Sequence, residues 1–164
     1  MNSRINCLFL LLSIFLCTSL YADIPQENFS VVVIASGNTV GLGDNLGMVF
    51  KYFGKTMPTL RKYTNVLLRE YKYDKISFFT SSLEKGDESK FIVVKIQFTG
   101  TKYQTKDGFT IGSKKADIIK RHGNPEEVVE SSIYFYNHDG DLMELKFTFN
   151  SKDFVCEIKM SVGT

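Results

Sequence analysis

Val40-Gly41-Leu42-Gly43-Asp44, closed ten residues on by Phe53-Gly54, returns 69 residues later as Phe109-Thr110-Ile111-Gly112-Ser113, closed by His122-Gly123. A fixed-offset echo of this kind is the sequence mark of a repeated unit. Identities are few, at Gly43/Gly112, Lys51/Lys120 and Gly54/Gly123, but the matched residue types share physical roles. Asp44 and Ser113 stand where a helix N-cap needs a side-chain acceptor. Leu46, Val49, Phe50 and Phe53 follow at the spacing of one buried helical face. The second copy places Lys115, Ile118, Ile119 and His122 there, so only its middle is strongly apolar. Gly54 and Gly123 suit a positive-φ C-terminal cap, and Pro58 and Pro125 stop the helix from resuming. The spacing predicts about three turns of helix in each copy.

Strand patterns follow each helix. In the second copy Ile133–Tyr136, Leu142–Asn150 and Phe154–Val162 alternate in polarity, divided by turn residues at Asn137–Asp141 and Asn150–Asp153. Met143, Leu145, Phe147 and Phe149 share one face, as do Phe154, Cys156, Ile158, Met160 and Val162. The first copy offers Val66–Lys72, Lys75–Ser81 and, after the polar loop Ser82–Lys90, Phe91–Thr99 with Ile92, Val94, Ile96 and Phe98 on one face. An extra strand, Phe29–Ala35, precedes its helix, and Gly100–Asp107 joins the copies. The expectation is an α+β protein of two tandem repeats, each a short helix packed on a three-stranded antiparallel meander. They occupy residues 23–100 and 101–164. A unit of about 65 to 70 residues is marginal alone, so the copies are expected to share an interface or one continuous sheet.

Gly108-Phe109-Thr110-Ile111-Gly112-Ser113, then Ile118 … Gly123-Asn124-Pro125 and three strands, resembles the unit of SmpA/OmlA-type outer-membrane lipoproteins. The same unit in tandem resembles the β-lactamase inhibitor protein. The resemblance implies a binding role without catalysis, in which a sheet face meets a partner protein. The chain departs from the inhibitor in lacking its disulfides and from the lipoproteins in lacking a good lipidation box.

The N-terminus reads as an export signal. Arg4 is followed by the apolar run Cys7–Leu16, with small residues at Ser19 and Ala22 before Asp23. That run is shorter than the roughly 20 apolar residues of a membrane span. Residues 1–22 are therefore expected to be a cleaved signal peptide, giving a periplasmic or extracellular protein. Lipidation at Cys17, with Leu16 where a small residue usually stands, would instead make a membrane-anchored lipoprotein. Cleavage of the 164-residue chain leaves 142 residues and takes only Arg4 among charged side chains, so 20 basic residues become 19 against 18 acidic. Nothing in that balance points to nucleic acid. Cys156 is then the sole cysteine, expected on an inward face as an inert small hydrophobe.

Catalytic patterns are thin. Gly41-Leu42-Gly43-Asp44-Asn45-Leu46-Gly47 has the spacing GxGxxxG rather than the dinucleotide fingerprint, and no βαβ unit follows. His122 suits a helix C-terminus, His138 falls in a predicted turn, and neither has ligands at metal spacing. Glu126, Glu127 and Glu130 read as a solvated acidic group. No catalytic residue, metal or cofactor is expected. The chain has 14 Phe, 8 Tyr and no Trp. Tyr71, Tyr73, Tyr134 and Tyr136 fall at corresponding points beside the first hairpin of each copy, as a candidate partner-binding set. The leading expectation is an exported non-catalytic module that binds an envelope or extracellular protein, as an accessory or inhibitor-like part. The alternative is a periplasmic binder of a small ligand or cell-wall component in a pocket between the copies, and a hydrolase stands third.

Overall fold

A computed structural model describes residues 24–63, 66–138 and 142–163. The expected signal peptide, with Cys17, lies outside the described residues, as do Asp139, Gly140 and Asp141 of the predicted turn. Among the described residues no helix is long and apolar enough to cross a membrane.

The architecture corrects the expected one. Among the described residues strand makes up 46% and helix, short 3-10 turns included, 16%, with two α-helices and two sheets of three and eight strands, so the fold is mostly β and not a pair of helix-plus-meander repeats. In chain order the strands are β1 (Ser30–Val33), β2 (Thr39–Gly41), β3 (Thr59–Tyr63), β4 (Val66–Tyr73), β5 (Ile76–Ser81), β6 (Lys95–Phe98), β7 (Tyr103–Thr105), β8 (Glu127–Val129), β9 (Ser132–Asn137), β10 (Met143–Phe149) and β11 (Val155–Val162). Helix α1 spans Leu46–Phe53 and α2 spans Lys115–His122. The small sheet runs β2-β1-β7, and the large one runs β3-β4-β5-β6-β11-β10-β9-β8. Three short strands, β2, β3 and β8, escape sequence detection, the last two for one reason. β3 is exposed along its whole length and β8 is three exposed residues, so neither shows the alternation that marks a half-buried strand. Both are outer strands of the large sheet, where half of the pairing groups need no partner strand.

Each helix has eight residues, nearer two turns than three. Asp44 and Ser113 do not cap them; the N-caps are Asn45 and Lys114, and neither side chain caps. Asp44 Oδ2 accepts from Gly41 N at 2.7 Å and Ser113 Oγ from Thr110 N at 2.9 Å, so each closes the turn before its helix. The free first-turn amides are met instead by loop carbonyls. Leu46 N donates to Phe91 O at 2.7 Å and Lys115 N to Asp153 O at 3.0 Å. At the C-terminal ends Gly54 (φ 82°, ψ 161°) and Gly123 (φ 81°, ψ −162°) lie where only glycine is comfortable, and their amides bond to Phe50 O and Ile119 O.

One face of the large sheet is covered. Ile76, Phe78, Ile96, Phe98, Ile158, Met160, Leu145, Phe147, Ile133 and Phe135 form one core with Leu46 and Val49 of α1, Ile118 of α2, and Val31 and Val40 of the small sheet. Residue parity along β11 differs from the expected alternation because of a bulge. Thr148 opposes Glu157 while Phe149 opposes Val155, which leaves Cys156 as the extra residue. Cys156 is consequently exposed, not inward, and Val155 takes the buried position. A similar phase change precedes β6, where Phe91 and Val93 are buried and Ile92 is exposed.

Candidate functional site

The other face of the eight-stranded sheet carries the candidate site. Its cross-strand rows follow from register. One row reads Glu127, Tyr134, Lys146, Lys159, Gln97, Ser77, Lys72 from β8 to β4. The next reads Tyr136, Glu144, Ser161, Lys95, Phe79, Glu70, Thr59 from β9 to β3. The middle strands β9, β10 and β11 thus turn most of their polar residues to this face and their apolar ones to the core, while β5 places Phe79 on it.

The four candidate tyrosines divide between the two faces. Tyr71 is fully buried beneath α1, edge-on to Phe50 at 5.7 Å, with burial pushing its hydroxyl up to about 12. Tyr73 packs against Phe53 and Phe78 and donates to Gly54 O at 2.7 Å. Tyr71 thus offers no surface to a partner, and Tyr73 is partly buried on the helix side of the sheet. Tyr134 and Tyr136 do lie on the open face, their rings stacked at 6.5 Å and 13°. Tyr136 donates to Glu127 Oε2 at 2.8 Å, and burial followed by that carboxylate holds its hydroxyl well above the ordinary tyrosine range. Lys146 Nζ sits 5.0 Å from the Tyr134 ring centroid, and its interaction with that side chain raises its pKa. Glu126 is not a solvated acid either: Oε1 accepts from Tyr136 N at 3.0 Å and Oε2 lies 2.8 Å from His138 Nε2. Beside the tyrosines, edge strand β8 exposes Val128 and Val129.

Charge on the middle of the face is largely paired. Lys159 Nζ meets Glu144 Oε1 at 2.9 Å, and Gln97 Nε2 donates to Glu157 Oε2 at 2.7 Å. Toward β3 the face becomes concave. Lys95 Nζ lies 3.6 Å from the Tyr63 ring centroid and 4.6 Å from that of Phe79. Tyr63 and Lys95 are three strands apart, about 14 Å on a flat sheet, so the β3–β4 hairpin must curl over the face to bring them together. That curl leaves Lys95 only 6% exposed, and burial followed by nearby Lys159 pushes its ammonium down to about 8. It also opens a cleft of about 400 Å³ with Arg61, Lys72, Lys75, Ser77, Gln97 and Thr99 among its walls. Glu70 forms its floor, accepting from Arg61 Nε at 2.6 Å, Ser77 Oγ at 2.8 Å and Thr59 Oγ1 at 3.4 Å. Burial raises the Glu70 pKa, but the Arg61 and Ser77 hydrogen bonds and the Arg61 and Lys72 charges outweigh it, so the carboxyl stays below its ordinary range.

A histidine–carboxylate pair lies inside the core. His122 Nε2 and Asp107 Oδ2 are 2.9 Å apart with side chains 6% and 1% exposed. The closeness is not matched by bond geometry, since neither these atoms nor Asp107 Oδ1 has a well-aligned hydrogen bond. Phe109, Phe135 and Phe147 rings surround the imidazole at 5.2 to 6.4 Å. A buried His beside a carboxylate is the arrangement a hydrolase needs, but this one is sealed from solvent, so it holds the 105–109 connection to the end of α2. Sequence reasoning placed His122 at the helix end and missed Asp107, whose only signal is the turn pair Asp107-Gly108. It also missed Glu70 and Lys95, which read as ordinary wet-face residues until the hairpin curls over them.

No protein-family model matches the chain, and no curated protein matches it. Two solved structures resemble it in part. One, a cysteine-rich secretory protein from Staphylococcus aureus, has 14% identity and a TM-score of 0.47 over 74% of this chain and 44% of its own. The chain thus spans less than half the length of that protein. The other, a DUF4309 family protein from Bacillus subtilis, has 15% identity and a TM-score of 0.40 over 87% of this chain and 88% of its own. Likeness at this level assigns no family. Neither neighbour is an SmpA/OmlA lipoprotein or a β-lactamase inhibitor protein.

Proposed function

We propose that this protein is an exported, non-catalytic module that binds an envelope or extracellular protein through the open face of its large sheet, centred on Tyr134 and Tyr136. The observation that carries the reading is the stacked tyrosine pair on an uncovered sheet face, ringed by charges of both signs and bordered by an apolar edge strand. Rigid aromatic rings with a polar tip give contact area at little entropic cost, and such residues dominate binding hot spots. Tyr134 and Tyr136 are already held, one by Lys146 and the other by Glu127, so little further ordering is needed on binding. The outer strand β8 adds exposed Val129 on the tyrosine face, exposed Val128 on the opposite one, and an unpaired backbone edge between them.

The test is cross-linking of the tagged mature protein in its native compartment, followed by affinity measurement with the recovered partner. A stoichiometric partner whose affinity falls at least about tenfold in Tyr134→Ala/Tyr136→Ala, as hot-spot residues do, supports the module. A partner bound equally well by that double variant moves the interface elsewhere. Failure to recover any protein across several cross-linking chemistries removes the reading.

A further inference from the structure

The cleft beneath the curled β3–β4 hairpin has a hydrogen-bonding balance of one kind. Its acceptor is spent: both Glu70 oxygens are occupied, Oε1 by Ser77 and Oε2 by Arg61 and Thr59, and the carboxylate charge is matched by the Arg61 guanidinium. The Gln97 amide nitrogen is committed to Glu157 and the Ser77 hydroxyl hydrogen to Glu70. Of the charged groups, what remains is cationic donors. Arg61 uses Nε for Glu70, leaving the terminal nitrogens of its planar fork to face outward. Lys72 and Lys75 line the same space, are exposed, and form no ion pair among the described residues. Three cations thus surround a carboxylate that one of them already neutralises.

We infer that this cleft is a binding site for a small organic oxyanion, a phosphate or carboxylate group carried on a polar body. Lys72 and Lys75 provide point charges and the Arg61 fork a planar pair of donors, with Glu70 acting as the strut that aims the guanidinium. Charge-assisted bonds of this kind suit an oxyanion. The volume, about 400 Å³, falls in the range of small-ligand sites and exceeds what a bare oxyanion fills, so the cleft has room for the body to which the anion is attached. Four strand spacings, about 19 Å on a flat sheet, separate the strand of Ser77 from that of Tyr134, so the cleft lies on the same open face but away from the tyrosine pair, and the two readings stand or fall separately.

The experiment is an NMR titration of the mature protein with glucose 6-phosphate, citrate, inorganic phosphate and neutral glucose at millimolar concentration. Saturable shifts of the Ser77, Gln97 and Thr99 amides with the organic anions, and none with glucose, are expected. Preference for glucose 6-phosphate over citrate assigns a phosphate source, and the reverse assigns a carboxylate. Lys72→Gln and Lys75→Gln should each weaken binding roughly tenfold, the worth of one charge-assisted hydrogen bond. Both side chains are exposed, so these variants keep the fold, while Tyr134→Ala/Tyr136→Ala should bind the anions as the unmodified protein does. No saturable shift with any anion, or shifts unchanged by the two lysine substitutions, overturns the proposal.

Discussion

The two halves of the large sheet use the same residue types in opposite ways. In the β3–β6 half the tyrosines of β4 face the core, and a charged pair, Arg61–Glu70, lies on the open face. In the β8–β11 half the tyrosines of β9 face out, and a histidine–carboxylate pair, His122–Asp107, lies inside the core. One step of strand parity separates the two tyrosine pairs. A one-residue shift of phase exchanges every side chain between the faces. The lesson is that a matched position in two related stretches does not carry a matched role unless the parity matches too.

The largest test of the contrast is between tyrosines. Tyr71→Ala removes a fully buried ring from beneath α1 and should cost about 3–5 kcal/mol in urea unfolding, as large aromatic truncations do. Tyr134→Ala, on the open face, should stay within about 0.5 kcal/mol. Equal costs would mean that the faces are wrongly assigned.

The charged pairs come next. Asp107→Ala leaves His122 in an aromatic pocket without its neighbour, a loss of about 1–3 kcal/mol. Arg61→Ala removes a side chain that is 55% exposed and should cost no more than about 1 kcal/mol. Replacing the buried pair with apolar residues, His122→Phe/Asp107→Leu, should recover most of the loss, because a buried ion pair is a weak stabiliser against well-packed hydrophobes. A double variant that unfolds would show that the pair supplies something apolar packing cannot.

Lys95 gives a smaller effect with a definite sign. Its ammonium is pushed down to about 8 in the folded protein from an ordinary 10.5. Between those values the unfolded chain keeps a proton that the folded chain has released, so stability rises with pH there. Below 8 both states are protonated and the burial cost is present in full. The slope across this window should not exceed about 1.4 kcal/mol per pH unit, and Lys95→Met should flatten it. An unchanged slope in Lys95→Met would place Lys95 in water and undo the argument that Tyr63 is folded over it.

These contrasts also show what was legible in the chain. The core strands β9 and β10 announce themselves because each has one covered and one wet face, so polarity alternates, whereas β5 is buried on both faces and is marked by its Ile and Phe content. Gly54 and Gly123 end their helices as read, since few residues tolerate their backbone angles. The expected architecture failed where that signal is absent. β3 and β8 are exposed on both faces, and without them each helix appeared to be followed by only three strands. Cys156 was assigned inward because a bulge leaves no trace in an alternating pattern. Asp107 and His122 are 15 positions apart and meet only after the connection folds back on α2, as do Lys95 and Tyr63 after the hairpin curls. The candidate site was therefore half visible: Tyr134 and Tyr136 from composition and parity, the cleft not at all.

The finest test concerns those two tyrosines. They stack on each other at 13°, and each is held by a charged neighbour, so truncation of either removes some support from its mate. The rings are half-buried but lie outside the core, which keeps the stability cost of Tyr134→Ala/Tyr136→Ala to about 1 kcal/mol or less if the two changes add. A binding surface requires the opposite weighting, with little lost in folding and much lost in affinity. Tyr→Phe at the same positions separates the two contributions of the ring. Phe keeps the stacked area but loses the hydroxyl that Tyr136 donates to Glu127. If partner affinity survives Tyr→Phe and falls with Tyr→Ala, the flat face of the aromatic pair is what the partner meets. If Tyr136→Phe alone is as damaging as Tyr136→Ala, the hydroxyl and Glu127 carry the contact, and the focus of the surface moves to the β8 edge.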